Sequence, residues 1–284
     1  MAEYDELIGE LEPDDGPPPA HSRVVFSNLR RGSAVSVPAA GLWVKYVARG
    51  AVAHDFGRRT YVVRGGEFLL SPEWVGSEVE VRRGEEGSTV GLCLFLAAPQ
   101  VCERNRAEEP LVFPARCSSL GRALEAEAIR IMRFGLDRRE RAGALLKLVT
   151  GELETVLDEA AGQLEALPAL KRSTRHELLR KLHAARGYLH DVTDRAVPLE
   201  ELAREAGMSR FELLRHFKLC FGAPPGAYHR QLRLNHAGDA MRAGGLSSTD
   251  AAHRYGFAGP SSLSHAHRRA FGRSPSKRAA VLTN

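Results

Sequence analysis

The sequence predicts an α+β protein of two domains: a small antiparallel β-barrel with two following helices, and then an all-helical domain with two helix-turn-helix units. Short segments rich in Val, Tyr, Phe and Leu follow one another between residues 24 and 96, separated by turn residues. Beyond residue 170, two similar segments have the pattern of helix, turn and helix, and both close on Phe-Gly. The net charge changes sign between these parts, and 284 residues suffice for two domains.

The charge is divided unevenly along the chain. Residues 171–284 contain 20 Lys and Arg against 9 Asp and Glu, whereas residues 1–170 contain 20 against 26. The total of +5 therefore conceals an acidic first part and a basic second part. A basic domain favours binding to a polyanion, but charge alone does not separate DNA from RNA or from a membrane surface.

Composition and cysteine spacing exclude several classes of protein. No apolar run reaches the roughly 18 residues that a membrane span needs. The N-terminus, M-A-E-Y-D-E-L, lacks the basic-then-apolar pattern of a signal peptide, so we expect a cytoplasmic protein without a membrane partner. Cys93, Cys102, Cys117 and Cys220 have no C-x-x-C or metal-ligand spacing and are expected to be reduced thiols. A redox switch through the first three is the alternative.

The first domain is expected over residues 21–166, after a flexible acidic tail of residues 1–20 that ends in D-D-G-P-P-P-A. Its strand-like segments are V-V-F-S, A-V-S-V, L-W-V-K-Y-V-A, T-Y-V-V, E-F-L-L, E-V-E-V and T-V-G-L-C-L-F-L. Such spacing indicates a small barrel or sandwich, which can enclose one small ligand. The candidate pocket residues, for which plain core packing is the alternative, are Trp43, Tyr46, His54, Tyr61, Phe68 and Trp74.

The same region offers little for catalysis. A metal-binding barrel needs two or three His and a Glu on facing strands, but only His21 and His54 are present, and His54 beside Asp55 is interpreted as a loop residue. No fingerprint of a hydrolase, a metalloprotease, a P-loop or a dinucleotide site occurs in a usable context. We therefore predict no catalytic residue, no metal and no cofactor. A metal-dependent barrel enzyme fused to a DNA-binding domain is the alternative.

Two amphipathic helices follow the strands. The first, over residues 117–134, is expected to bury Leu120, Leu124, Ala128, Ile131 and Met132. The second, to about Leu164, is expected to bury Ala144, Leu145, Leu148, Leu153 and Leu157. These helices either cover the barrel or pair with a second subunit, and the sequence leaves both open. Residues 167–173 are expected to be a linker, and the capping box Thr174–Glu177 is expected to start the helical domain, residues 174–284.

The first helix-turn-helix unit has a first helix at Leu199–Ala206 and a turn at Gly207. A second capping box, Ser209 with Glu212, starts the next helix, and Leu213, Phe217 and Phe221 form its buried face. The N-terminal part of such a second helix enters the major groove of DNA. Arg215 is the best candidate for a guanine contact, with phosphate as the alternative. The exposed candidates are Arg210, Phe211, Leu214, Arg215 and Lys218.

A connecting helix begins at Pro225 and ends at Gly244-Gly245. The second unit then runs from Thr249 through a turn at Gly256 and resumes at Pro260. Its expected core residues are Leu263, Ala270 and Phe271. The exposed candidates for DNA binding are Ser261, Ser262, Ser264, His265, Arg268, Arg269 and Arg273.

These residues give the chain a family resemblance. The matching pattern is Leu202-Ala203, Gly207-x-Ser209, Leu213-x-x-x-Phe217-Lys218, Gly222, Arg233-Leu234-x-x-Ala237, Gly256-Phe257, Phe271-Gly272 and Ser274-Pro275-Ser276. Residues 172–280 thus resemble the C-terminal domain of AraC-type transcription regulators. The first 170 residues resemble, more loosely, the cupin-like sensor domains that often precede it.

The resemblance implies a sequence-specific transcription regulator, with activation as the expected direction. It implies that two recognition helices, about one DNA turn apart, read adjacent segments of the major groove. The base-reading positions would be Phe211, Leu214 and Arg215 in the first unit, and Ser261, Ser262 and His265 in the second. The expected partners are double-stranded DNA, RNA polymerase and either a small-molecule effector or a regulatory protein such as an anti-activator. A homodimer is left open.

The second unit departs from the family pattern. His267 stands where a buried phenylalanine is usual, His265 stands where a long polar side chain is common, and Gly259 and Pro260 replace polar residues at the turn. We therefore expect the first unit to discriminate between sequences. The second would grip phosphates through Arg268, Arg269 and Arg273, contacts that position a protein without specifying bases.

Overall fold

The computed structural model describes residues 23–29, 34–37, 42–57, 59–71, 77–81, 89–96, 109–134, 139–168 and 171–272. The chain divides into two compact units, Met1–His183 and Ala184–Asn284. The predicted tail, His21, Trp74, Cys102 and Arg273 lie outside the described residues. The two-domain α+β prediction is confirmed, with sheets and helices in the first unit and helices in the second.

The first unit contains two antiparallel sheets. Its strands are β1 Arg23–Leu29, β2 Ala34–Val37, β3 Leu42–Arg49, β4 Ala51–Asp55, β5 Thr60–Arg64, β6 Glu67–Ser71, β7 Ser77–Val81, β8 Thr89–Leu96 and β9 Leu111–Pro114. The strand orders are β1-β8-β3-β6-β9 and β2-β7-β4-β5. All seven predicted segments are strands, and β4 and β9 are additional. The interpretation of His54 as a loop residue is wrong, because β4 follows β3 after one residue and pairs His54 with Tyr61 of β5.

A single apolar cluster joins the two sheets, and we call it the inner core. It contains Val25, Leu29, Trp43, Val47, Val52, Val63, Leu69, Cys93, Phe95 and Val112, with Phe56 and Tyr61 packed against it. Successive side chains of a strand point to opposite faces, so Trp43 and Val47 share the face that meets the other sheet. The apolar alternation within each strand thereby places the core between the sheets.

Two helices cover the five-stranded sheet from outside. After a short 3₁₀ turn, α1 spans Ser119–Phe134 and α2 spans Arg139–Ala166. The first packs on β3 and β8 and the second on α1, β1 and β8. As predicted, Leu120, Leu124, Ala128 and Ile131 are buried, as are Leu145 and Leu153. The prediction is wrong for Met132, Ala144 and Leu148, which are exposed, and Leu157 is only half-buried.

The helices of the second part are α3 Arg172–Asp191, α4 Leu199–Ala206, α5 Arg210–Phe221, α6 Pro225–Arg242, α7 Ser248–Arg254 and α8 Pro260–Phe271. The division between the units falls within α3. The expected start of α3 at a Thr174 capping box is wrong, because the Thr174 N–H already donates to the Lys171 carbonyl, 2.9 Å away, within the first turn.

A small apolar cluster joins α6, α7 and α8. It contains Leu234, Ala237, Ala251, Ala252 and Leu263. The prediction that Ala270 and Phe271 face this core is wrong, since Ala270 is exposed and Phe271 is 37% exposed. The inward position one turn after Leu263 is taken by His267, which is buried. Gly238 of α6 leaves room for its ring, because a Cβ there would lie 3.1 Å from the His267 Nε2.

Candidate functional site

The turn between α4 and α5 fixes the start of α5. Gly207 has φ 60° and ψ 43°, the left-handed conformation that closes a helix, and its N–H donates to carbonyls of α4. The Ser209 Oγ accepts from the Glu212 N–H at 3.3 Å, and the Glu212 carboxylate accepts from the Ser209 N–H at 3.2 Å. The predicted capping box is confirmed. It satisfies backbone donors at the end of α5 that would enter a groove.

The outer face of α5 is apolar near its start and cationic farther along. Leu213 and Phe217 are completely buried, so the opposite face is turned to solvent. On that face Phe211 is 73% exposed and Leu214 is 42% exposed. Arg215 and Lys218 are exposed, and neither forms a salt bridge with a residue that the structure describes. Large exposed apolar side chains beside available cations are typical of a binding surface.

Arg210 differs from the other cations of α5. Its Nη1 lies 2.5 Å from a carboxylate oxygen of Glu200, on α4, and both side chains are about two-thirds exposed. The pKa of Glu200 is lowered, first by a hydrogen bond to its own backbone and then by Arg210. A phosphate that binds Arg210 therefore has to compete with Glu200. Surface ion pairs of this kind are weak, so the competition does not exclude a DNA contact.

Tyr228, on the connecting helix α6, ties α5 to the rest of the unit. Its hydroxyl accepts from the Arg186 Nε at 2.9 Å and hydrogen-bonds the His190 Nε2 at 2.7 Å, both on α3. Its ring packs against Phe217 and Phe221, with centroids 5.6 and 6.4 Å away. Helix α5 is thus held from behind by two other helices, α3 and α6.

Arg233 holds the turn of the second helix-turn-helix. This buried side chain of α6 donates from Nη1 to the carbonyls of Tyr255 and Gly256, each at 3.1 Å. Its guanidinium carbon lies 5.1 Å from the centroid of the Phe257 ring. Burial lowers the pKa of Arg233. In the sequence, Arg233 was identified only as part of the family motif. Its place beside the apolar Leu234, in a helix with a buried stripe, was the signal that could have indicated a buried arginine that binds the turn.

The second recognition helix, α8, has a different outer face. It starts at Pro260 without a side-chain cap. Ser261, Ser262 and His265 are exposed and Ser264 is half-buried. Arg268 and Arg269 are exposed near the C-terminal end, and neither has a salt-bridge partner in the described part of the chain. Small polar side chains thus precede two available cations.

The inner core of the first unit brings together three of the predicted pocket residues. Trp43 and His54 have ring centroids 5.3 Å apart. Phe56 lies 6.2 Å from Trp43 and 5.5 Å from Tyr61. These four rings, Trp43, His54, Phe56 and Tyr61, form what we call the aromatic row. It leads from the buried Trp43 and His54 to the partly exposed Phe56 and Tyr61.

Two other predicted pocket residues lie elsewhere. Tyr46 of β3 pairs with Phe68 of β6. Because side chains alternate between the two faces along a strand, Tyr46 lies on the opposite face of the sheet from Trp43, three residues earlier. Burial and the nearby Glu125 of α1 raise the pKa of Tyr46 to about 12. Phe68 stacks on Phe113, with centroids 5.4 Å apart. These two side chains belong to the layer between the sheet and its helices.

Lys45 is an inner-core residue that the sequence interpretation missed. It is only 2% exposed, and its ammonium donates to the Ser27 Oγ at 2.7 Å. The Ser27 hydroxyl lies 3.3 Å from the Gly91 carbonyl, to which it donates. Burial, and then the charge of Lys45, lower the pKa of His54 to about 3, so this imidazole is neutral. The signal was the alternation in L-W-V-K-Y-V-A, which puts Lys45 on the same face as Trp43.

A surface cavity of about 360 Å³ lies in the first unit, between β5, β9 and the first half of α3. Its polar lining includes Tyr61, His176 and Arg180. Arg59 at its edge pairs with Glu109 at 3.1 Å, and Arg180 pairs with Glu177 at 2.7 Å. Because its cations already have carboxylate partners, the cavity does not favour a ligand of either charge.

Among the residues that the structure describes, no three His, Cys, Asp or Glu side chains are grouped so that they could hold a metal ion. The helices within the described ranges include none that is both long and apolar enough to span a bilayer. Cys93, Cys117 and Cys220 form no disulfide bond with any residue that the structure describes. Burial raises the pKa of the Cys220 thiol to about 12.

Comparison with known proteins gives one family match. Residues 202–279 match the family model of a helix-turn-helix domain. No curated protein matches the chain.

Among solved structures, an AraC-type transcriptional regulator from Chromobacterium violaceum is 27% identical, over 34% of this chain and 87% of that one, with a TM-score of 0.33. The DNA-binding domain of AdpA, solved with a target DNA, is 27% identical over 34% and 86%, with a TM-score of 0.32. Fatty-acid-bound ToxT from Vibrio cholerae strain SCE256 is 11% identical over 92% and 95%, with a TM-score of 0.34.

The family match covers both helix-turn-helix units, from the first turn of α4 to beyond the end of α8. Residues 202–279 of this chain therefore match a helix-turn-helix domain, as the motif residues predicted.

Proposed function

We propose that this protein is a sequence-specific transcription regulator that binds double-stranded DNA through residues 174–284. The observation that carries the proposal is the outer face of α5. It presents the exposed Phe211, Leu214 and Arg215 on a helix whose start is fixed by a capping box. The net charge of this part of the chain, 20 Lys and Arg against 9 Asp and Glu over residues 171–284, supports a polyanionic partner.

In this proposal, the first turns of α5 enter the major groove. Arg215 donates two parallel hydrogen bonds to a guanine, and Phe211 or Leu214 meets a thymine methyl group. Lys218, with Arg268 and Arg269 of α8, neutralises phosphates. Since each neutralised phosphate releases counterions, affinity falls steeply as salt rises.

The first unit, in the same proposal, responds to an effector. Lys45, Ser27 and His54 place polar groups in what is otherwise an apolar core. Buried polar groups lower stability unless they are well paired, which favours a binding role for this inner face over a purely structural one. We expect the bound state to act on transcription as an activator in the cytoplasm, through contact with RNA polymerase.

A homodimer belongs to the same proposal. The apolar side chains of Ile129, Met132 and Phe134 are exposed on α1, and Leu148 is exposed on α2. Light scattering on the purified protein tests this part separately from DNA binding. A dimeric mass that Met132→Lys and Leu148→Lys together convert to a monomeric one supports it, and a monomeric mass for the unchanged protein contradicts it.

Selection of bound duplexes from a random DNA pool, with the full-length protein at moderate salt, tests the function. We expect one enriched motif, bound with an affinity that falls linearly with the logarithm of salt concentration. Recovery of duplexes without a shared motif contradicts sequence-specific binding. Half-sites repeated at a spacing of about one helical turn would indicate that two recognition helices read bases.

A further inference from the structure

Lys45 is unusual in the first unit because its side chain, which carries an ammonium group, is buried. Its ammonium is buried at 2% exposure on the inner face of β3, between Trp43 and Val47. Its hydrogen-bond partner is a neutral hydroxyl, the Ser27 Oγ at 2.7 Å. Among the residues that the structure describes, no carboxylate lies within salt-bridge distance of the ammonium. An ammonium has three N–H donors, so two are left for another acceptor.

Such an arrangement is costly for the free protein. A charge taken out of water loses its hydration, and only an opposite charge with good hydrogen bonds compensates the loss. Lysine is almost never fully buried without a partner of this kind. A leucine or methionine at position 45 would fill the same space without that cost. A lysine at position 45 is therefore explained better by an interaction with a bound molecule than by packing within the chain itself.

The surroundings of Lys45 supply further donors and little negative charge. The Trp43 indole N–H is fully buried and has no acceptor within the described residues. The neighbouring His54 is neutral and lies close enough for the charge of Lys45 to act on it. The Ser27 hydroxyl already donates its hydrogen bond to the Gly91 carbonyl. An oxygen atom that carries negative charge is the group that these donors would stabilise.

We propose that the effector of the first unit is a small organic carboxylate, whose carboxylate group accepts hydrogen bonds from the Lys45 ammonium. This inference rests on the proposed function, in which the inner face binds an effector. The apolar part of the molecule packs along the aromatic row and the valines of the inner core. The row runs from Trp43 and His54 to the partly exposed Phe56 and Tyr61, beside the turn that joins β4 and β5.

A carboxylate fits this site better than a phosphate or sulfate does. One ammonium balances one negative charge, whereas a dianion would leave a buried charge without compensation. The inner core is apolar, and its Val47, Val52, Val63 and Leu69 belong to the same cluster as the Trp43 ring. That lining favours an apolar body over a second polar group.

The first part of the test is the stability of Lys45→Met in the full-length protein without ligand. Methionine keeps the length of the side chain and removes the charge, so we expect the variant to unfold at a temperature several degrees higher than the unchanged protein. The matched control is Lys147→Met, an exposed lysine of α2, which should leave the unfolding temperature unchanged. A lower unfolding temperature for Lys45→Met means that the Lys45–Ser27 bond is structural, and overturns the inference.

The second part compares carboxylates with neutral molecules of the same shape. The probes are benzoate, and the straight-chain carboxylates from acetate to decanoate, each beside its amide, with inorganic phosphate as the anion without an apolar body. We expect at least one carboxylate to raise the unfolding temperature of the unchanged protein and of Lys147→Met, but not of Lys45→Met. Its amide should have no such effect.

Three results of this second part also overturn the inference. They are equal shifts by the amide and the carboxylate, an equal shift in Lys45→Met, and no carboxylate-specific shift in the unchanged protein. The DNA selection described above is a separate readout. An enriched motif without any carboxylate effect refutes the effector class and leaves DNA binding intact, whereas a carboxylate shift without a motif refutes DNA binding alone.

Discussion

At the scale of single residues, Arg233 performs a structural task that its charge makes unusual. Its guanidinium binds two backbone carbonyls of the second helix-turn-helix turn, at Tyr255 and Gly256, while itself buried. Lysine would not reproduce this role, because an ammonium lacks the planar guanidinium that packs on the Phe257 ring while its Nη1 donates to both carbonyls. The position of the turn relative to α6 therefore depends on this side chain.

We predict that Arg233→Met destabilises the second unit. The variant leaves two carbonyls without their charged donor, and bonds to charged groups contribute about 1.5–3 kcal/mol each. The measurement is chemical unfolding of the full-length protein, followed by a probe of the helical unit. Arg230→Met, on the same helix but exposed, is the control and should change stability little. Equal stability of the two variants would contradict the role of Arg233.

At the scale of elements, the two helix-turn-helix turns look alike in sequence but differ in surroundings. Both have a glycine with positive φ, 60° at Gly207 and 66° at Gly256. A Cβ on Gly207 would meet no atom within 4 Å. A Cβ on Gly256 would lie 2.5 Å from the Asp194 carbonyl oxygen and 2.7 Å from the Arg195 Cα. The second turn is therefore packed against the segment between α3 and α4.

Alanine substitutions should reveal this difference. Gly207→Ala should lower the free energy of unfolding by about 1–2 kcal/mol, because alanine is strained in the left-handed conformation. Gly256→Ala should lower it by that amount and by about 1–3 kcal/mol more, because its methyl group would enter occupied space. Comparison of the two unfolding free energies checks the prediction. Gly207 serves as the matched control, and equal losses would show that the second turn is not packed as described.

The elements also show how far the sequence could lead. The seven predicted strands and the paired helices of the second unit follow from local periodicity and turn residues, which a single sequence contains. Strand β4 was missed because its connection to β3 is one residue long, so two strands read as one segment followed by a turn. The pairing of His54 with Tyr61 depends on distant chain segments, which local periodicity does not encode.

The candidate site was predictable to a similar degree. The capping box and the exposed face of α5 could be predicted because they depend on spacing within one helix. The exposure of Phe271 could not, because it depends on tertiary packing, in which His267 takes the buried position on α8. Nor could the Glu200–Arg210 pair, which joins two helices across a turn. Lys45 was missed although its register was visible, since a lysine in a strand is ordinarily turned to solvent.

At the scale of the whole molecule, the proposed regulator combines a sheet domain that responds to an effector with a helical domain whose two units contribute unequally to DNA binding. The first recognition helix presents Phe211, Leu214 and Arg215, whereas the second presents serines, His265 and two arginines near its end. Side chains that reach base edges carry sequence information, and contacts to phosphates do not. We therefore propose that α5 discriminates between bases and that α8 anchors the protein on phosphates.

The most direct test compares the selected DNA motif for three forms of the full-length protein: unchanged, Arg215→Ala, and the pair Arg268→Ala with Arg269→Ala. We predict that Arg215→Ala costs about 1–3 kcal/mol at particular base positions and relaxes the preference there. The double variant should lower affinity for every sequence alike and reduce the slope of affinity against salt. Loss of the same amount on all sequences for Arg215→Ala, with base preferences unchanged, would contradict the assignment of sequence reading to α5.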